Sequence, residues 1–107
     1  IGYINNSPSV ITFRSIPHDR FPKFINHFVK KQSVNKAFNL LNVKKIIRSK
    51  TLISAEISDK IKSNLLNIDV GKPLIKTTSI NVDFNKTPIE LSESYFDGSK
   101  IQILVKV

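Results

Sequence analysis

Apolar residues in this chain recur at two-residue spacing in some stretches and at roughly 3.6-residue spacing in others, and the alternation marks out its elements. Tyr3-Ile4 reads as the end of a strand, Asn5-Asn6-Ser7-Pro8 as a turn, and Val10 to Ile16 as a second strand. In that strand Ile11, Phe13 and Ser15 share one face, and Val10, Thr12, Arg14 and Ile16 the other. Pro17 stops it, His18-Asp19-Arg20 is a polar connection, and Pro22 suits the first turn of a helix. Phe21, Phe24, Ile25 and Phe28 then form an apolar helical stripe, and Lys30, Lys31 and Gln32 end it with cations placed well for the helix dipole.

Ser33 fits the N-cap of a second helix, whose stripe is Val34, Ala37, Phe38 and Leu41. β-Branched residues return from Val43 to Ile53, which predicts a long strand with Ile47, Thr51 and Ile53 on one face. Ser58 is the expected cap of a third helix carrying Ile61 and Leu65 inward. Asp69-Val70-Gly71-Lys72-Pro73 is a turn, since Gly tolerates positive φ and Pro halts a helix. Leu74 to Phe84 reads as a strand with Ile80, Val82 and Phe84 inward. A hairpin connection over Asn85-Lys86-Thr87-Pro88 leads into a strand from Ile89 to Phe96. Asp97-Gly98 turns again, and Ile101, Ile103 and Val105 line an expected last strand. Antiparallel strands with helices inserted between them define an α+β fold: one curved sheet covered on a face by two or three helices.

The length of 107 residues suits one compact domain. The absence of Cys excludes disulfides, thiol nucleophiles and Cys-ligated zinc. His18 and His27 are the two imidazoles, and for both an exposed or capping role is the expectation. No apolar run reaches the length of a membrane span, and no secretory leader pattern opens the chain, so a cytoplasmic location is expected. The chain starts without Met and in mid-pattern, so it reads as part of a longer protein with its first strand truncated.

Lys and Arg number 17 against 8 Asp and Glu, a formal charge of +9. The cations are mostly Lys and scattered; Lys30-Lys31, Lys44-Lys45 and Lys60/Lys62 are the closest groupings. No Arg-rich run or Lys-aromatic interleaving suggests a base-stacking groove, so a solvated Lys coat is the preferred reading. Gly2, Gly71 and Gly98 lie too far apart for a phosphate loop. No metal-binding or nucleophile motif occurs, and no catalytic residue, metal or cofactor is expected. Glu90 and Glu93, three apart on a strand, point to opposite faces and cannot form an acid/base couple. Glu90, Ser92, Ser94 and Phe96 share one face of their strand, with Ile89, Leu91 and Tyr95 on the other. If the Ile89 face packs on the helices, the Glu90 face is either a solvated sheet surface or the wall of a polar ligand pocket.

The run Leu65-Leu66-Asn67-Ile68-Asp69-Val70-Gly71-Lys72-Pro73-Leu74, then Asp83-Phe84-Asn85-Lys86-Thr87-Pro88-Ile89-Glu90, then Ser94-Tyr95-Phe96, resembles the C-terminal signature of the UTRA domain. That domain is the ligand-binding module of the HutC-type subfamily of GntR-like regulators. Asn6-Ser7-Pro8, Ile16-Pro17 and Phe21-Pro22 resemble its earlier Pro-marked stretch, so the resemblance runs nearly end to end. It implies a chorismate-lyase-like α+β fold that binds a small effector, such as a sugar phosphate or an amino-acid derivative, and forms a homodimer. It also implies operator binding through a winged helix-turn-helix module that this chain lacks.

Carried across, Glu90 matches the family's acidic ligand contact, and Phe96 an aromatic facing the pocket, with Tyr95 as the alternative in register. Ser33 matches a small hydroxyl residue at the start of the second helix, where free N–H groups could hold an anion. Thr12 falls near an often acidic position and Asn35 near an often aromatic one. Ser94 shares the Glu90 face. Gly2 stands where the family's strand carries an Arg, and Arg14, on the Thr12 face, is the candidate substitute cation. Two other functions compete: a chorismate-lyase-like enzyme, which needs a buried Arg and an acid such as Glu90 converging on a closed cavity, and a basic nucleic-acid-binding module. The dimer surface is expected at an unpaired edge, beside Ile1 to Ile4 or Ile101 to Val107.

Overall fold

Eight elements follow one another along the chain: β1 (Gly2–Ile4), β2 (Ser7–Ser15), α1 (Phe24–Lys31), α2 (Val34–Leu40), β3 (Ile47–Ile57), α3 (Lys60–Leu66), β4 (Pro73–Val82) and β5 (Pro88–Asp97). They come from a computed structural model that describes residues 1–4, 7–17, 20–31, 33–41, 43, 46–104 and 106, with Lys31 described by its backbone alone. The strands form one five-stranded sheet in the order β1-β2-β5-β4-β3. β1 pairs antiparallel with β2, Tyr3 opposite Pro8 and Ile4 opposite Ser7. The α+β class and the three helices agree with the pattern read from the sequence. The expected turn residues Asn5 and Asn6, and also His18, Asp19, Gln32, Lys44, Lys45 and Val105, lie outside the described residues.

The chain divides into two compact units. One comprises Ile1–Phe13, Leu52–Thr78 and Ser92–Val107, and the other Arg14–Thr51 and Ser79–Leu91. The core of the first is Ile11, Leu66, Leu74 and Tyr95, with Ile68 packed against it. Phe13 sets its ring edge-on to Tyr95, centroids 5.9 Å apart. The core of the second is aromatic: Phe21, Phe24, Ala37, Phe38 and Ile89, flanked by Ile16, Phe28, Val34, Leu41, Val43 and Ile46. Phe38 meets Phe21 at 5.2 Å and Phe24 at 4.7 Å between centroids. Burying each such side chain stabilises the fold by about 1.5–3 kcal/mol. The Phe21, Phe24 and Phe28 part of the first stripe thus faces inward, as do Ala37 and Phe38 of the second. Ile25 is exposed, because the stripe is narrower than its spacing suggested.

Local chemistry sets the ends of α2 and α3. Ser33 caps α2, its Oγ accepting from Lys36 N at 3.3 Å. α3 is capped by Asp59 rather than Ser58: Asp59 Oδ1 accepts from Lys62 N at 2.9 Å. Ser58 instead ties down the following turn, donating to the Asp69 carbonyl at 3.0 Å and accepting from Lys72 N at 3.1 Å. In α3 Ser63 and Leu66 are the buried residues, while Ile61 is 69% exposed and Leu65 lies at the margin. Asn67 closes the helix in the left-handed region at φ 56°, with Ile68 N donating to the Ser63 carbonyl.

Three strand boundaries differ from the pattern. Ser7 and Pro8 already belong to β2. β3 starts at Ile47, because Val43 N donates to the Phe38 carbonyl and closes α2 instead, and it runs on to Ile57. It is an edge strand in which nearly every residue is exposed, so Ile47, Thr51 and Ile53 mark no buried face. β4 ends at Val82, and Phe84 stands 75% exposed in the turn. That turn is shaped by Asp83, whose Oδ1 accepts from Asn85 N and Thr87 N at 2.9 and 3.0 Å.

The expected last strand is absent among the described residues: 101–104 and 106 adopt no strand. The Asp97 carbonyl accepts from both Lys100 N and Ile101 N, which commits the backbone to a turn. Gly98 seals the same corner. Its N donates to the Pro73 carbonyl, and a Cβ there would stand 2.7 Å from that oxygen.

Candidate functional site

The second unit contains the buried carboxylate Glu90, whose side chain is 1% exposed. The pattern that alternates Ile89 into the aromatic core turns Glu90 to the opposite face of β5, where it is buried rather than solvated. A carboxylate that has lost water requires charge and hydrogen-bond partners. Arg14, from the end of β2, donates from Nη1 to Glu90 Oε2 at 2.7 Å, and Asn81, from β4, donates from Nδ2 to Oε1 at 2.6 Å. Arg14 remains 43% exposed, so the pair reaches from the interior to solvent. Both carboxylate oxygens are thereby engaged.

Around this pair lies an open cavity of about 520 Å³, lined by Arg14, Phe28, Ser33, Val34, Asn35, Arg48, Asn81 and Glu90. A second cavity of about 580 Å³ shares Asn35, Arg48 and Asn81 with it and adds Lys36, Asn39, Val43 and Ile46. The two read as one cleft, with α2 supplying Asn35 and Asn39 at i, i+4 spacing and β3 supplying Arg48. Glu90 also borders a smaller, mainly apolar cavity of about 400 Å³ walled by Ile16, Pro17, Ile80, Pro88 and Leu91.

Of the residues singled out from the sequence, Glu90, Arg14, Ser33 and Asn35 come together at this cleft. Thr12, Ser94, Tyr95 and Phe96 belong to the first unit. There Thr12 and Ser94 share a hydrogen bond of 2.9 Å, Tyr95 is a core residue, and Phe96 is half-buried. Alternation put Thr12 and Arg14 on one face of β2 and Glu90 and Ser94 on one face of β5, and the fold adds that Thr12 meets Ser94 and Arg14 meets Glu90. Sequence reasoning missed Arg48, Lys36, Asn39 and Asn81. Alternation around the buried Val82 could have marked Asn81, and the Asn35–Asn39 spacing could have marked Asn39.

Two further charged groups take part in structure rather than in the cleft. Arg20 pairs with Asp83 and lies 4.9 Å from the centre of the Phe21 ring. That guanidinium, with the Thr87 and Asn85 amides, holds the Asp83 carboxyl below its ordinary 3.8. In the first unit Lys76 sits 3.4 Å from both Glu56 and Glu93, and Lys62 lies 3.1 Å from Asp59. Hydrogen bonding to Tyr95, then to Glu56 and Glu93, raises the Lys76 ammonium above 10.5. Among the described residues no group of three or more His, Asp or Glu could hold a metal ion, and no helix is long and apolar enough to cross a membrane.

The class is thus α+β, an open five-stranded sheet with three helices and a polar cleft around the buried Glu90. The profile of the UTRA domain matches residues 1–102, so the chain belongs to the UTRA family and is an effector-binding regulatory domain. It is 26% identical over 90 residues to an uncharacterized HTH-type transcriptional regulator of Rhizobium meliloti, covering 84% of this chain and 37% of that protein. It is 23% identical over 105 residues to a protein of Escherichia coli named as a probable fructoselysine utilization operon transcriptional repressor, covering 98% and 43%. The chain thus spans less than half the length of these curated relatives. Its fold matches the crystal structure of a GntR-family transcriptional regulator from Enterococcus faecalis V583 with a TM-score of 0.83 at 18% identity, over 99% of this chain and 76% of that one.

Proposed function

We propose that this chain is the sensing domain of a GntR-type repressor of the HutC subfamily, and that its effector occupies the cleft around Glu90. The observation that carries the reading is the buried Glu90 carboxylate, fixed by Arg14 and Asn81 and bordering an open cavity. A fixed acid beside amide and hydroxyl side chains suits hydroxyl or amine groups of a small polar compound, such as a sugar phosphate or an amino-acid derivative. The regulator works as a cytoplasmic homodimer and reads its operator through a winged helix-turn-helix module. Effector binding biases the relative orientation of two such modules. The exposed β1 edge, with Tyr3 and Ile4, is the dimer surface this reading favours.

Thermal-shift screening of sugar phosphates and amino-acid derivatives tests the assignment. At least one compound is expected to raise the melting temperature of the wild type, with the shift lost in Glu90→Ala. A shift that survives Glu90→Ala, or a complete panel without effect, contradicts it.

The domain is non-enzymatic in this reading. The Arg14–Glu90 pair puts an Arg beside the acid, but a lyase of this fold would need that Arg buried at a closed cavity, and Arg14 is 43% exposed on an open one. Glu90 is held as an ion-paired carboxylate by Arg14 and Asn81, an arrangement that suits accepting hydrogen bonds from a bound ligand rather than delivering a proton to it. No conversion of chorismate to 4-hydroxybenzoate is expected; measurable turnover lost in Glu90→Gln establishes the enzyme instead.

A further inference from the structure

The described cations bordering the cleft are not equivalent. Arg14 is committed to Glu90, and that pair is formally neutral. Arg48 lines both cavities, Lys36 lines one, and neither side chain has a hydrogen-bond or ion-pair partner among the described residues. The same wall carries Asn35, Asn39 and Asn81 and no further carboxylate. Asn81 spends one N–H on Glu90, leaving the rest of its amide without another side-chain partner among the described residues. The first unit is the internal control: its Lys62 and Lys76 are each neutralised by nearby acids. Two unpaired cations on one wall of a concave site, beside three amides, leave a net positive charge where a ligand would sit.

We infer that Arg48, assisted by Lys36, is the anion-recognising side of this cleft, and that the effector is a polar compound carrying one phosphate or carboxylate group. Arg48 takes that group through its planar guanidinium, Lys36 adds a point charge, and the asparagines read neighbouring hydroxyl or amide groups. This deepens the sensing function proposed above and rests on it. It places the anion contact on β3 and α2, on residues that no sequence motif marked.

The probe is inorganic phosphate, titrated into the isotopically labelled wild-type chain at low ionic strength and followed by NMR, with acetate as a parallel series. Saturable shifts are expected at Asn35, Arg48 and Asn81, including the Arg48 Nε–H signal. Arg48→Gln should weaken phosphate binding about fivefold, the scale of an exposed charge pair. Lys36→Gln should weaken it less, the double variant should lose it, and Lys76→Gln should leave it unchanged. A preference for phosphate over acetate assigns a phosphate ester, and the reverse a carboxylate; either supports the inference. Equal binding by wild type and Arg48→Gln, or weak shifts spread over surface lysines alone, overturns it. If a neutral compound binds in a Glu90-dependent manner while phosphate ignores Arg48, the anion site falls and the sensing cleft stands. If phosphate binds at Arg48 while effector hits are indifferent to Glu90→Ala, the anion site stands and the Glu90 assignment falls.

Discussion

The Tyr95 surroundings of the first unit and the cleft of the second use charge in opposite ways. In the first, lysines and acids neutralise one another: Lys76 lies between Glu56 and Glu93, and Lys62 reaches Asp59 while stacking 4.4 Å from the centre of the Tyr95 ring. In the second unit, Asp83 pairs with Arg20 and Glu90 with Arg14, while Arg48 and Lys36 line a cavity without an ion-pair partner among the described residues. The contrast teaches where to look for function in a chain with scattered positive charge. Paired surface cations cost little and signify little, whereas unpaired ones on a concave wall leave a field for a ligand to satisfy.

Truncation of each core gives the largest expected effects and tests whether the units stand or fall together. Phe38→Ala in the aromatic core should cost about 3–5 kcal/mol, and Leu66→Ala in the other about 2–5 kcal/mol, by chemical denaturation. A single transition in both variants indicates one cooperative fold; separate transitions mean that the units unfold independently. Next, Gly98→Ala forces a Cβ against the Pro73 carbonyl and should cost about 1–3 kcal/mol, because backbone cannot step aside cheaply.

The acid response comes next in size. Asp83 titrates below its ordinary 3.8 in the folded chain, so its contribution is full above that pH and is lost as pH falls through the lowered folded value. Asp83→Asn should flatten the loss of stability below about pH 4, measured by urea denaturation across an acid series.

The smallest effects separate the two uses of charge. Lys76→Gln should cost little stability, and Arg48→Gln should be neutral. A clear destabilisation by Arg48→Gln would show that Arg48 holds the fold, and the contrast between the units would collapse.

Periodicity carries much of this fold because alternation and helical stripes record which face is buried. The α2 stripe, the Ser33 cap, and the faces that join Thr12 to Arg14 and Glu90 to Ser94 are legible in the residue pattern, whereas the meeting of Arg14 with Glu90 and of Thr12 with Ser94 is visible only in the folded chain. The start of α3 is not, because Ser58 and Asp59 are adjacent and equally good caps, and Asp59 wins while Ser58 serves the Asp69–Lys72 turn. The expected strand after Gly98 is absent among the described residues, where the Asp97 carbonyl accepts from Lys100 N and Ile101 N and turns the backbone. Arg48 stays hidden because a cation on an edge strand reads as solvated in any pattern. Only the folded chain places it beside Asn81 on the wall of one cavity.

The central claim is that a small polar effector binds beside Glu90. The most direct measurement takes the first compound that stabilises the wild type and maps its contacts by NMR or by a crystal structure of the complex. Contacts at Glu90, Asn81 and Asn35, absent in Glu90→Ala, are the predicted result. A ligand seated elsewhere, with Asn81 and Glu90 unperturbed, contradicts the account.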